Sequence, residues 1–317
     1  MRLEEKINYY AAGIGLITGI CGGGPVVDDI TKFIKTTTPF VKYSAEERAD
    51  PRLSMPGCRS IIVAGMGYRK KYLFENDGLP RGVLSQGAIG TDYHISMREK
   101  LGRLAGFMLG FADFNYQINV DNGPLSEKDL LIKAGLGRRG RNGLIYSDKF
   151  GSFFFAGYML TDLDLEPTFY RCGGDVYNGE LNCGNCRLCI GACPGGALRV
   201  GGFDYTKCGS YLTQKKGELN DEEKKIIGLN LYGCDICQEV CPFNAETDTE
   251  AEEITDVESA RPELMKIIEM TKNEFDEKYK NTALYWRGMD NLKRNARAAL
   301  KNFNSSTSNA NRRSPGP

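Results

Sequence analysis

Two cysteine runs constrain this chain more than any other feature. Cys183-x2-Cys186-x2-Cys189-x3-Cys193-Pro194 is followed by Cys234-x2-Cys237-x3-Cys241-Pro242. Of 11 cysteines, eight lie between positions 183 and 241. An odd total clustered at CxxC intervals indicates metal ligation rather than a disulfide framework. The first run has the spacing of a bacterial [4Fe–4S] ferredoxin. Three cysteines at two-residue gaps wrap one face of a cube, and the fourth, before proline, turns away to a second cluster. The second run lacks a cysteine at its head, and Cys208 can supply it. The expected ligands are therefore Cys183, Cys186, Cys189 and Cys241 for one cluster. Cys193, Cys208, Cys234 and Cys237 serve the other. A pair of tetrahedral zinc sites is the competing reading, but zinc knuckles rarely use CxxCxxCxxxCP. Cys21, Cys58 and Cys172 fall outside the pattern and read as ordinary thiols.

Iron–sulfur clusters move single electrons; they need something to reduce. The 317 residues suffice for about two domains, so the rest of the chain must hold a second cofactor or dock a redox partner. Lys and Arg number 41, as do Asp and Glu, which argues against a generally basic nucleic-acid binder. A single histidine excludes any two-His metal site. The uncharged stretch from Ile7 to Val27 holds six glycines and a proline, so it reads as neither signal peptide nor membrane span. Thiolates at metal spacing favour a reducing compartment, and a cytoplasmic location is expected.

The periodicity predicts an α+β domain over residues 1–170. Its elements are a helix over 2–12, a loop at Cys21–Pro25, and a buried strand at Ser60–Met66. A helix over 91–111 and a strand at 117–120 ending on Asp121 follow. A helix over 126–134 and strands at 143–146 and 152–160 complete it. The cysteine-rich segment 171–247 forms a ferredoxin-like domain with both clusters. Residues 248–303 combine an acidic, solvated linker with a basic helical segment; the acidic run is Glu246, Asp248, Glu250, Glu252, Glu253, Asp256 and Glu258, uninterrupted by Lys or Arg. The helical segment runs from 262 to 302. From 261 onward twelve basic residues face six acidic ones, and the tail 304–317 has a disordered composition.

Three features of the first domain admit two readings each. Gly135-Leu136-Gly137-Arg138-Arg139-Gly140 matches GxGxxG, yet it follows a helix, so a glycine-rich turn fits better than a dinucleotide site. Asp92-Tyr93-His94-Ile95-Ser96-Met97 nearly matches the cobalamin-ligating DxHxxG, with Met97 in place of glycine; a structural histidine is the plainer reading. Asp121, at a strand end before Asn122-Gly123-Pro124, is either a turn-forming residue or a carboxylate aimed into a pocket as a proton donor.

Several segments occur together and in order. These are Arg48-x-Asp50-Pro51, Asp92-Tyr93-His94, Val120-Asp121-Asn122-Gly123-Pro124, Ala134-Gly135-Leu136-Gly137 and Gly151-Ser152-Phe153-Phe154-Phe155. The first cysteine run, Cys208-x-Ser210-Tyr211-Leu212-Thr213 and Tyr232-Gly233-Cys234 through Asn244 complete the set. Over about residues 1–303 the chain resembles the epoxyqueuosine reductases, iron–sulfur and cobalamin enzymes of tRNA queuosine synthesis. The resemblance implies a nitroreductase-like cobalamin-binding domain ahead of a double-[4Fe–4S] ferredoxin-like domain, with cobalamin held base-off. It implies Asp121 as proton donor, with the corrin against Ile145, Ala156, Ser210 and Asp235. A tRNA substrate and a low-potential flavodoxin or ferredoxin donor are implied as well. Two alternatives stay open: the same cofactors acting on a small molecule, or an electron-transfer protein without cobalamin.

The sequence departs from the family's pattern in four places, one being residues 166–182, which are longer than usual. Gly137–Asn142 has arginines for the usual Trp and Lys, and Ser85–Gly90 lacks the usual Tyr and Arg. The chain stops soon after Arg294-Asn295-Ala296, where a C-terminal helical-repeat domain would begin; a short form is expected.

Overall fold

The computed structural model describes residues 1–311 except 28, 32–37, 76, 169–179, 246 and 248–251, and from 307 to 311 the backbone alone. It divides into two compact units, each built from discontinuous stretches. The first comprises residues 1–68, 94–184 and 243–249; the second comprises 69–93, 185–242 and 250–317.

In the first unit the helix Leu3–Gly13 precedes strand β1, Ile17–Gly22. Strands β2 (Ser60–Gly67), β5 (Tyr116–Asn119) and β8 (Phe154–Thr161) complete an antiparallel sheet of order β1-β2-β8-β5. β2 is apolar through Ala64 and buried through Gly65, as a central strand must be. It pairs with β8 over its whole length, from Ser60 opposite Thr161 to Gly67 opposite Phe154. Ile61, Val63, Tyr158 and Leu160 pack with Leu130, Leu131 and Ala134 into one core. Helix Tyr93–Leu109 buries Met97, Leu101, Leu104, Ala105 and Met108, a stripe at helical spacing. Sequence patterning misses β1. Its glycines favour a loop at Cys21–Pro25, but pairing of Cys21 with Ile61 and Gly22 with Ser60 makes the first two residues strand.

The second unit draws residues 69–93 away from their sequence neighbours. β3 (Lys70–Tyr72) pairs in parallel with β12 (Glu252–Ile254), and β4 (Val83–Leu84) with β11 (Asn230–Tyr232). Hairpin β9–β10 (Leu198–Arg199, Gly202–Phe203) lies between the cysteine runs. β6 (Arg138–Arg139) and β7 (Ile145–Tyr146) form a hairpin in the first unit. The contiguous domain boundaries drawn from the sequence do not anticipate this interleaving, because short strands paired across about 180 positions leave no local signal.

Part of the acidic stretch is therefore strand, not solvated linker. Glu252 pairs with Lys70, Glu253 with Lys71 at 3.3 Å, and Glu258 with Arg81 at 2.7 Å. Glu246, Asp248 and Glu250 lie outside the described residues. The helical segment expected over 262–302 is broken into Leu264–Glu269, Lys272–Tyr279 and Gly288–Asn311. Thr271 caps the second piece, accepting from the Glu274 N–H while Glu274 accepts from the Thr271 N–H. The last helix runs past the expected boundary at 303 to Asn311.

Arg294 and Asn295 tie that last helix to the rest of the second unit. Arg294 donates to the carbonyls of Lys215 (2.8 Å) and Leu212 (3.1 Å). Asn295, fully buried, donates to the carbonyls of Thr213 (2.7 Å) and Leu231 (2.8 Å). Replacing Asn295 with Ala would strand two buried carbonyls. Denaturant unfolding of Asn295→Ala should then show a loss of about 1–3 kcal/mol, with an exposed control such as Asn273→Ala near zero.

Candidate functional site

The cysteines come to the site on short elements. Cys189 sits in the turn of helix Leu188–Ala192 and Cys193 ends it. Cys208 precedes helix Gly209–Gln214, and Cys237 lies within Ile236–Glu239. Burial pushes the Cys234 thiol up to about 11, and Cys208 and Cys193 add to the rise. Burial likewise pushes Cys237 up to about 12, reinforced by Cys234, Cys208 and Cys189. Cys193 and Cys208 thus lie within electrostatic reach of Cys234, and Cys208, Cys234 and Cys189 within reach of Cys237; Cys189 is the one of these that the spacing allots to the other cluster. Gly209 keeps the backbone close: a β-carbon there would lie 3.4 Å from the Cys234 sulfur. Soft sulfur donors in half-buried turns fit an iron–sulfur cube, whose binding would displace the thiol protons. Cys186 alone among the described cysteines is exposed. Cys21 and Cys58 are buried in the first unit's core, and burial raises both thiols. They behave as apolar side chains there, as expected. Cys172 lies outside the described residues.

Asp121 follows β5 and is the one non-glycine residue with positive φ (56°) among the described residues. Its carboxylate is 56% exposed, with Oδ2 3.5 Å from His94 Nε2. His94 Nε2 also meets Asn122 Nδ2 at 3.0 Å. The histidine thus contacts two residues of this loop. The Asp121 N–H donates to Glu127 Oε1 at 2.6 Å. Glu127 begins helix Glu127–Lys133, and burial, then the nearby Asp121 charge, pushes its carboxyl up to about 8. Tyr158 of β8 takes the Leu125 N–H on its hydroxyl at 3.1 Å, and Tyr43 donates to the Asn122 carbonyl at 3.1 Å. Gly123 passes so close to β8 that a β-carbon would lie 2.3 Å from the Tyr158 hydroxyl. Ser126, read as a capping residue, instead gives its hydroxyl to the Asp129 carboxylate.

The GxGxxG segment has a structural use. It enters the β6–β7 hairpin, and a β-carbon on Gly137 would lie 2.5 Å from Ile145 Cγ2. The arginines filling this turn make ion pairs, Arg138 with Asp148 and Arg139 with Asp129, each at 3.0 Å. The two motifs Gly151-Ser152 and Phe243-Asn244 meet within the first unit. Asn244 Oδ1 accepts from the Ser152 N–H at 2.8 Å, and its Nδ2 donates to the Ser152 hydroxyl at 2.9 Å.

Of the residues associated with a corrin by resemblance, Ile145 (buried) and Ala156 (half-buried) belong to the first unit, on β7 and β8. Ser210 and Asp235 belong to the second. Ser210 accepts from Gln214 Nε2 through both its carbonyl and its hydroxyl. Asp235 accepts from the Gln86 N–H at 2.7 Å and from Gln238 Nε2 at 3.0 Å, and burial pushes its carboxyl up to about 6. Gln86 in turn accepts the Lys70 N–H at 2.8 Å. Sequence reading misses Glu127, Tyr158 and Gln86. Glu127 carries a weak signal, a carboxylate opening a helix just after Asp121; Tyr158 and Gln86 act from distant segments and carry none.

The cysteine spacing sets an outcome for iron content. The reconstituted protein should hold about eight iron atoms per chain, and Cys208→Ala about four, since one four-iron cube loses a ligand. Equal iron in both would show that Cys208 is not a ligand.

Comparisons with known proteins identify the family. The family described as "Epoxyqueuosine reductase QueG, DUF1730" matches residues 48–122, and the "4Fe-4S double cluster binding domain" matches residues 182–244. The epoxyqueuosine reductase of Staphylococcus aureus (strain NCTC 8325 / PS 47) is 37% identical over 320 residues, covering 96% of this chain and 81% of that protein. The crystal structure of an epoxyqueuosine reductase with an epoxyqueuosine-modified tRNA stem loop superposes with a TM-score of 0.87 at 32% identity. The match covers 96% of this chain and 83% of that one. The Bacillus subtilis epoxyqueuosine reductase, described with its aspartate catalytic loop swung out of the active site, gives 0.85 at 30% identity. It covers 99% of this chain and 87% of that one. Among the described residues no helix is long and apolar enough to cross a membrane. With such identity along nearly all of its length, the chain belongs to the epoxyqueuosine reductase family.

Proposed function

We propose that this protein reduces epoxyqueuosine in tRNA to queuosine, using two [4Fe–4S] clusters and cobalamin, with Asp121 as the proton donor. The observation that carries this reading is the Asp121 loop: a carboxylate held in a left-handed conformation at a strand end, exposed, beside the chain's one imidazole. Strain of this kind persists where the surrounding structure over-determines it, and it concentrates at functional sites.

The cluster ligands would be Cys183, Cys186, Cys189 and Cys241, and Cys193, Cys208, Cys234 and Cys237. The residues present suit a corrin held without a protein histidine, because His94 is already engaged by Asn122 and Asp121. Ile145 and Ala156 in the first unit, and separately Ser210 and Asp235 in the second, are the candidate corrin contacts that the resemblance implies. When bound, these groups supply paired low-potential electrons to the epoxide carbon. The substrate takes up two electrons and two protons, and it leaves as an alkene and water. Asp121 delivers one proton to the departing oxygen, which would otherwise leave as a poor, charged leaving group. Solvent supplies the second.

The antiparallel sheet and flanking helices of the first unit support a nitroreductase-like fold. A low-potential carrier such as flavodoxin or ferredoxin would feed the clusters, and the cytoplasm suits such a carrier. Arg297 and Lys301, exposed on the last helix, are candidate contacts for tRNA phosphates.

The test is anaerobic. Reconstituted protein should retain about one corrin per chain with a base-off spectrum, and it should turn over epoxyqueuosine-containing tRNA. Asp121→Ala should keep clusters and corrin but lose about 10²–10⁴-fold in kcat. Unchanged turnover in that variant would remove Asp121 from the mechanism, and absence of corrin binding would remove the reductase reading.

A further inference from the structure

We propose that Glu127 is the positioning residue for Asp121: by accepting the Asp121 N–H it holds the acid in its left-handed conformation with the carboxylate facing outward. The inference rests on the proposed role of Asp121.

A non-glycine residue with φ near +56° sits in the left-handed region, at a free-energy cost relative to the ordinary helical one. Something must offset that cost, or the loop would relax and take the carboxylate with it. Local pairing does part of it, since the Asn122 N–H donates to the Val120 carbonyl at 2.6 Å. That contact turns the chain but leaves the Asp121 N–H to be satisfied. Glu127 satisfies it at 2.6 Å, a short bond for N–H to oxygen. The acceptor is well anchored. Glu127 opens a helix whose Leu130 and Leu131 are buried in the first unit's core. Between the two carboxylates, the Leu125 N–H is held by the Tyr158 hydroxyl, so the six-residue loop is fastened at both ends and in the middle. The Asp121 carboxylate meets His94, Oδ2 lying 3.5 Å from Nε2, and stays 56% exposed.

The charge arrangement suits this role. The titratable groups facing Glu127 are Asp121, His94 and Tyr158. Burial and the Asp121 charge favour the protonated form of Glu127 at neutral pH. A neutral carboxyl still accepts an N–H through its carbonyl oxygen. It does so without setting a second negative charge against the acid it positions. Glutamine would reproduce that acceptor; alanine would not.

The experiment compares Glu127→Gln and Glu127→Ala in the full chain by two readouts. One is amide hydrogen exchange of peptides spanning 119–126, measured by mass spectrometry without substrate. The other is steady-state turnover of epoxyqueuosine tRNA. Alanine should speed exchange in that loop by about tenfold, the value of one lost hydrogen bond, with the β2–β8 peptides unchanged. It should lower kcat by about 10–10²-fold, as expected for a displaced acid, and leave KM for tRNA within about twofold. Glutamine should restore both readouts to within about threefold of the parent. Unchanged loop exchange and kcat in Glu127→Ala would overturn the proposal. So would a Gln variant as impaired as Ala, since the carboxyl proton rather than the accepted bond would then matter. If Glu127→Ala does not fold, Glu127→Gln decides alone: parental kcat supports the proposal and a large loss overturns it. A parent chain inactive on tRNA would sink the assigned reaction instead, while loop exchange would still report on Glu127.

Discussion

The pairing of β8 with both β2 and β5 is the interaction on which the Asp121 site depends. β8 lies between two partners, so its register is set from both sides: Gly65 faces Ala156, and Asn119 faces Tyr158. A slip of one residue would turn every side chain to the opposite face. Tyr158 would leave the core, and its hydroxyl would no longer reach the loop after β5. The same strand therefore fixes where β5 ends, and hence where Asp121 begins its turn. It also provides the group that fastens the turn.

The second unit meets a different constraint. Its cysteines lie on turns and helices of four to six residues, too short to be stable alone. Polar side chains join these pieces to longer ones. Asn295 and Arg294 reach from the last helix to the carbonyls of residues 212–215 and 231. Asp235, between two cysteines, is locked to the turn at Gln86. The sulfur donors are thus held by a frame that exists apart from their ligation. This allows clusters to be supported in place rather than merely wrapped by a flexible loop.

The Asp121 loop concentrates conflicts that the rest of the first unit avoids. It has a left-handed aspartate, a second carboxylate within hydrogen-bonding distance of its backbone, and the chain's one histidine. Elsewhere, local preference and tertiary structure agree, as in the apolar stripe of Tyr93–Leu109 and the buried run of β2. Local disagreement of this kind is stabilised by neighbours, and it marks where the chemistry is proposed to occur.

The cysteine spacing by itself determined that the chain carries a double-cluster module, because ligation geometry is written in short intervals along the chain. Periodicity likewise determined the helices 3–13 and 93–109 and the strands β2 and β8, whose burial patterns are local properties. Only the tertiary structure decided what is assembled from distant segments. It showed that Lys70–Tyr72 pairs with Glu252–Ile254, so that an apparent acidic linker is partly strand. It placed the apparent dinucleotide motif in a hairpin filled by its own Ile145. It set His94 and Glu127 beside Asp121, and Tyr158 beside Glu127. Apart from the six-residue reach from Asp121 to Glu127, those relations depend on sheet register and on contacts between segments tens of residues apart, which no interval along the chain encodes.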